Sequence, residues 1–555
     1  MAEITADQAP ADARPAVSLR TVVAASSAGT AFEWYDFFIF GSLTQIISKT
    51  FFAGLNDTAG YIAALALFGA GFAFRPIGAL VFGHIGDRLG RKGAFLVTVT
   101  MMGGATFAIG FLPTYGQAGI IAPAILIVMR IVQGFALGGE YGGAAIYVAE
   151  HARPNRRGWL TGWIQTSAAF GLFGAQVVIL ITRQLIGEAA FADWGWRVPF
   201  LVSAGLLAIS IFMRLKLRES PAFAQIKAEG TVSKAPFAEA FGRWPNLKLV
   251  LIAFLAMMCA QGAVWYASFF YVQVFMEKFV QIPAATINLL IMLMVAASAP
   301  LYVFFAWLSD IVGRKLVMLC GMSLALVAFF PGFHALERAA NPALAEATSR
   351  TPVVVVADPA DCALQFDPVG KAAFVSSCDI AKSFLANAGV SYANQAGPAG
   401  SPAHIKVGAT EVVSRSTAGL AKGPAKTVKA GVEADLRAAL KAAGYPTKAD
   451  PARLNFMAVF GILMIFVVGA TALYGPIAAC LVELFPTRVR YTAMSLPYNI
   501  GTGWVGGFLP FSAFAIVTAT GNVYAGLWYP VVFTAISVLA CLFLLPETRG
   551  RPLDV

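Results

Sequence analysis

The 555 residues are 58% hydrophobic and only 12% charged, about half the charged fraction of an average soluble domain. The formal charge of +11 flanks apolar runs instead of forming an aromatic-studded basic face, which excludes nucleic acid as a partner and makes the cations topology determinants. Mean hydropathy is +0.72, and apolar stretches of about 20 residues, enough to cross a bilayer as helices, recur along most of the chain.

Residues 1–20 are polar and acidic with no apolar core, which fits a disordered cytosolic tail and not a signal peptide. Twelve membrane spans follow, at 22–46, 60–83, 94–112, 118–149, 158–183, 196–215, 247–274, 286–308, 315–334, 455–480, 491–518 and 524–545. They predict an all-α integral membrane protein in two pseudo-symmetric six-helix halves. The first half is 21–215, and a polar, basic cytoplasmic linker occupies 216–246. Helices seven to nine occupy 247–335, an insertion fills 336–454, helices ten to twelve occupy 455–545, and 546–555 form a tail. Short loops bearing Arg88, Arg91 and Lys92, Arg153, Arg156 and Arg157, Arg314 and Lys315, and Arg488 and Arg490 all fall on one side. That side is the cytoplasm by the positive-inside rule. Both termini are then cytoplasmic and the insertion is extracytoplasmic.

Within the insertion, Val353 to Val356 reads as a strand and Val432 to Leu440 as an amphipathic helix, predicting a small folded cap of α/β-like character between helices nine and ten. Cys362 and Cys378 both lie there, where an oxidising compartment permits a disulfide. Cys259, Cys320, Cys480 and Cys541 lie in apolar runs and read as packing residues.

The spans carry ionisable residues that lipid does not tolerate without a purpose. Glu33 and Asp36 lie three apart on one helix face. Such a carboxylate, facing a polar cavity, can load and release a proton; the alternative is a fixed ion pair. Arg75 lies eight residues before a charged loop, about 12 Å deeper at helical rise. Arg130, Gln133, Leu137 and Glu140 form one stripe of one helix. Arg75 and Arg130 can grip a solute carboxylate with two hydrogen bonds, or pair internally with Glu33, Asp36 or Glu140. Gln165, Gln176, Gln261, Trp265, Tyr266 and Tyr271 are further pathway candidates, though such residues more often pack a core.

The charged loop Gly83-His84-Ile85-Gly86-Asp87-Arg88-Leu89-Gly90-Arg91-Lys92 returns in shortened form as Ser309-Asp310-Ile311-Val312-Gly313-Arg314-Lys315. Repetition at equivalent places indicates internal duplication, the construction of many alternating-access carriers. Gly90 permits a tight turn, Asp87 can cap a helix or pair with arginine, and Arg88, Arg91 and Lys92 hold the cytoplasmic side. Such charges form a latch between halves, with Gly83, Asp310, Gly313, Arg314 and Lys315 completing the set. The second copy is degenerate, having Leu308-Ser309 where the first has Ile85-Gly86, which predicts a weaker latch. His84 lacks a second ligand at metal spacing, and no nucleotide-binding loop or Ser-His-Asp arrangement is visible. The expectation is a carrier, not an enzyme, with no metal or cofactor and driven by a gradient.

The loop at 83–92 resembles the signature between helices two and three of the major facilitator superfamily, and Arg130-Ile131-Val132-Gln133-Gly134 resembles the helix-four motif of its proton-coupled members. Span five, Thr166 to Val178, lacks the Gly-Pro pattern of the drug antiporters, which tilts toward symport. Glu33-Trp34-Tyr35-Asp36-Phe37, Arg75-Pro76-Ile77-Gly78, Gly138-Gly139-Glu140-Tyr141-Gly142-Gly143, Asp193 to Phe200, Leu217 to Phe223 and Pro546-Glu547-Thr548-Arg549-Gly550 resemble the metabolite:proton symporter family. That resemblance implies Asp36, Arg75, Arg130 and Glu140 as pathway residues. The insertion departs from it, since family members have a short connection there. The expectation is a monomer in the cytoplasmic membrane that imports a small organic acid with protons. Alternatives are a carrier of zwitterionic osmolytes such as proline or betaine, whose arginines would pair internally, and a non-transporting sensor acting through the insertion.

Overall fold

Long apolar runs broken only by glycine, proline and charged turns fold as helices, because a spanning segment must satisfy its backbone groups internally. The computed structural model describes residues 19–53, 67, 71–215, 219–363 and 374–553. Among these, ten helices are long and apolar enough to cross a membrane. The first predicted span falls on helix Leu19–Ser42, which packs on Ser167–Ile186. The second lies partly outside the described residues, and its described end is in helix Arg75–Leu89. Most of the predicted tail at 1–20 also lies outside them. The span predicted at 315–334 runs on to Ala340.

The two loop motifs fold alike, down to their partners. Gly90 and Gly313 end one helix and open the next with φ of 121° and 113°, a backbone that L side chains rarely adopt. Each following helix is capped from a distance. The Glu219 carboxylate accepts from the N–H groups of Arg91 and Lys92 at 3.0 and 3.4 Å. Glu547 accepts from Arg314 and Lys315 at 3.0 and 3.1 Å. A carboxylate at a helix N-terminus satisfies orphan donors and complements the helix dipole. Lys92 Nζ then donates to the Leu215 carbonyl at 3.0 Å and Lys315 Nζ to Leu542 at 2.9 Å. The duplication is thus written in the hydrogen bonds.

Residues 341–454 hold a four-stranded sheet in the order β2-β1-β3-β4. Strands β1 (Val353–Ala357) and β2 (Tyr392–Ala396) are parallel, crossed over by helix Ser377–Asn387. Strands β3 (His404–Val407) and β4 (Thr410–Val413) form a hairpin whose β3 pairs antiparallel with β1. Alternation in β1 buries Val353, Val355 and Ala357 in a core shared with Leu385, Ile405 and Leu436, separate from the membrane core. Cys362 and Cys378 are disulfide-bonded, with Cα atoms 5.2 Å apart. Backbone N–H groups of Gly400 and Ala360 hold the Asp358 carboxyl below its usual pKa. Residues 364–373 of this region lie outside the described residues.

Candidate functional site

A buried polar column runs through the first half. Arg214, at the end of helix Arg197–Leu215, places Nη2 3.0 Å from Glu33 and 2.9 Å from Glu140. All three are at most 4% exposed. Neither Arg75 nor Arg130 takes those carboxylates, so the internal pairings offered from sequence are corrected to Arg214. The clue lay in Ser203, Ser210 and Arg214, which share one buried face of an otherwise apolar helix.

Asp36 differs from its neighbour. It is 5% exposed, forms no ion pair among the described residues, and its Oδ1 is buried without a hydrogen-bond partner. The Thr106 side chain lies beside it and also accepts from Gln133 Nε2 at 2.7 Å. Gln133 in turn accepts from Arg130 Nη1 at 2.7 Å, while the Arg130 guanidinium sits 3.3 Å from the Phe40 ring centroid. Hydrogen-bonding groups therefore link Asp36 to Arg130 through two polar side chains. Arg75 donates from Nε to Asn499 Oδ1 of the second half at 3.1 Å. Its carbonyl abuts Gly138, where a Cβ would clash, which is why a glycine stands at that helix crossing.

Between the two sets of membrane helices lies a cavity of about 1430 Å³ that opens toward the sheet-bearing region 341–454. Its inner floor is aromatic: Phe38, Phe72, Trp265, Tyr266, Phe270 and Tyr302. Trp34 stacks behind Phe38 at 5.4 Å, and Trp265 donates to the Tyr302 hydroxyl at 2.7 Å. Beneath them Tyr141 and Tyr498, one from each half, stack at 3.8 Å, and Tyr498 meets the Tyr474 hydroxyl at 2.7 Å. Trp265 and Tyr266 immediately precede a π-helical turn, Ala267–Tyr271, a feature common at functional sites. Of the candidates in spans five and seven, Gln176, Trp265 and Tyr266 line the cavity, and Gln165, Gln261 and Tyr271 do not. Glu33, Asp36, Arg75, Arg130, Gln133 and Glu140 do not line it either. Arg75 stands behind the floor, its guanidinium 5.6 Å from the Phe72 ring.

The opposite end is shut by crossed bonds. Asp87 pairs with Arg91 and accepts from the N–H groups of Tyr491 and Thr492 at 3.1 and 2.7 Å. Asp310 pairs with Arg314 at 2.7 Å and accepts from Gly158 and Trp159 at 3.0 and 2.7 Å. Each motif aspartate thus caps a helix of the other half. Arg490 reaches Glu150 across the halves at 2.6 Å, and Arg314 and Arg157 share Glu483 at 3.2 and 3.6 Å. Gly83 touches Thr492, whereas Arg88 is exposed. The aspartate caps match in the two copies, whereas the arginines differ: Arg314 donates to Glu483, and Arg91 donates to the Gly86 and Thr487 carbonyls at 3.0 and 2.9 Å.

Asp87→Asn is expected to loosen this end. A hydrogen bond to a charged group contributes about 1.5–3 kcal/mol, so losing the charge should raise the population open at this end roughly tenfold to a hundredfold. Spin labels at the exposed positions Arg88 and Arg488 would read it as a longer distance. An unchanged distance distribution would exclude Asp87 as a latch.

A family model described as "sugar (and other) transporter" matches residues 21–239 and 438–555. The proline/betaine transporter of Escherichia coli (strain K12) is 42% identical over 208 residues, 37% of this chain and 41% of that one. The chain therefore spans less than half the length of that relative. The shikimate transporter of the same strain is 34% identical over 321 residues, 57% of this chain and 73% of that one. Among solved structures, the major facilitator superfamily proton:xylose symporter XylE bound to 6-bromo-6-deoxy-D-glucose superposes with a TM-score of 0.62 at 15% identity, covering 96% of this chain and 97% of that one. The inward open conformation of XylE from E. coli scores 0.52 at 15% identity, covering 97% and 98%.

Proposed function

Because this chain belongs to the sugar (and other) transporter family of the major facilitator superfamily, we propose that it imports a small zwitterionic metabolite, of the proline or betaine kind, by proton symport. The observation that carries the substrate class is the uncharged aromatic floor, with Arg75 and Arg130 both behind it. Aromatic faces attract a desolvated ammonium by about 2 kcal/mol or more, whereas a bare anion there would meet no cation. The proline/betaine relative supports the same reading.

Asp36 is the proton site. An ionised carboxylate buried without a cation is costly and neutralises instead, while Arg214 already occupies Glu33 and Glu140. The conformation described is outward-facing: the cavity is open at the insertion end, and the Asp87 and Asp310 latches hold the loop-motif end shut. The halves then rock about the site, break the crossed bonds, and open the other side. The loop-motif end is cytoplasmic, both termini lie there, and residues 336–454 are extracytoplasmic, in keeping with the basic loops. The protein works in the inner membrane as a monomer.

One observation favours a second reading, an organic acid. Arg75 Nη1 lacks a hydrogen-bond partner, and its guanidinium lies against Phe72 and beside Tyr266, both of which line the cavity. A turned Phe72 ring would present it to a carboxylate, and the shikimate relative is in accord. Uptake of labelled betaine, proline and a panel of organic acids, with and without a protonophore, separates the two. The zwitterion reading expects betaine or proline to accumulate and the protonophore to abolish it. Accumulation of an acid alone would transfer the assignment to Arg75. Binding without flux of any solute would point to a sensor.

A further inference from the structure

The mouth of the cavity is walled by the inserted domain. Helix Lys422–Ala442 buries Val432, Leu436 and Leu440 toward the sheet and turns Lys429, Glu433, Arg437 and Lys441 to the cavity. A spacing of four keeps these side chains on one face. Lys429 lies 3.9 Å from Glu433, which spends one charge of each sign. Arg437 has no carboxylate partner among the described residues; its guanidinium lies 5.7 Å from the Phe384 ring, itself part of the wall. Lys441 has no ion pair among the described residues. Arg183 also lies on the rim of the first half, but it is paired with Glu188 at 3.6 Å.

The domain is anchored to the second half. Tyr392 N–H donates to the Gly521 carbonyl at 2.7 Å, Asn394 Nδ2 to Thr520 at 2.9 Å, and Ala449 N–H to Gln281 at 2.9 Å. The basic stripe therefore stands at a fixed place above a floor that has no cation of its own.

We propose that Arg437 and Lys441 form an outer capture site for the carboxylate of the incoming solute. The inference rests on the cavity being the solute's route. Glu277 and Glu433 also line the cavity, each beside a lysine at 3.2 and 3.9 Å, so the charge left over at the mouth is positive, and an arginine fork fits the carboxylate end of a zwitterion. The solute is held first at the stripe by its carboxylate. It then descends to the aromatic floor, which takes the ammonium.

The test uses the full chain in liposomes, with Cys320→Ser as background and Gln176→Cys as a thiol inside the cavity. The rate of modification by an anionic methanethiosulfonate is compared with that by a cationic one of similar size. Arg437→Gln with Lys441→Gln is expected to lower the anionic-to-cationic ratio by about threefold or more, and added salt to erase the difference. Lys406→Gln, exposed on the same domain but away from the cavity, should leave the ratio unchanged. The double variant should also raise KM for the transported solute severalfold at an unchanged maximal rate. An unchanged ratio, or a lowered ratio with unchanged KM, would overturn the capture site. The reagent ratio needs no transported solute, so a chain that moves none of the panel would fail the transport reading while the stripe is still judged.

Discussion

Asp36→Asn is expected to abolish accumulation of solute while leaving exchange of internal for external solute intact. The substitution keeps the shape of the side chain and removes its capacity to carry a proton. Asp36 is buried with no ion pair among the described residues and with one oxygen unpartnered, so its charge depends on protonation and not on a neighbouring cation. Exchange needs only the rocking of the halves with solute bound, which requires no net proton movement. Glu33→Gln should behave differently, because Arg214 keeps Glu140 as a partner at 2.9 Å, and accumulation should survive. Labelled uptake and counterflow in the same vesicles read both quantities. Full accumulation by Asp36→Asn would remove it as the proton site.

The second large effect is expected on stability. Arg214→Gln leaves Glu33 and Glu140 buried together without their cation. Breaking a buried pair by removing one partner costs about 3–5 kcal/mol. Arg214 also lies over the Phe95 ring at 3.6 Å, so packing is lost with the charge. Thermal unfolding in detergent should show a markedly lowered midpoint. Adding Glu140→Gln should recover much of the loss, because it removes one of the stranded charges. A single variant within about 1 kcal/mol of the parent, the range of an exposed pair, would show that the triad is not a structural cross-link.

What was legible in the sequence was local. The repeated loop announces the duplication, and Asp87 and Asp310 do cap helices and pair with arginine as their surroundings allow. The partners of those loops were not legible. Glu219 reaches Arg91 over 128 positions and Glu547 reaches Arg314 over 233, separations at which no periodicity carries information. Arg214 escaped notice because a basic residue at the end of a span also fits a topology signal. The arginines at 75 and 130 were legible as buried cations. Their place behind the cavity floor was not, since it depends on how Phe72, Phe37 and Phe40 pack around them. The sequence favoured an organic acid, with a zwitterion as the alternative, and it is this packing that moves the proposal to the zwitterion.

The most direct measurement of symport is the internal pH of proteoliposomes, read by a trapped dye, when betaine or proline is added outside with no imposed proton gradient. The account predicts internal acidification that follows solute entry, is abolished by a protonophore, and is absent in Asp36→Asn. Solute entry with no pH change, or acidification preserved in Asp36→Asn, would contradict it.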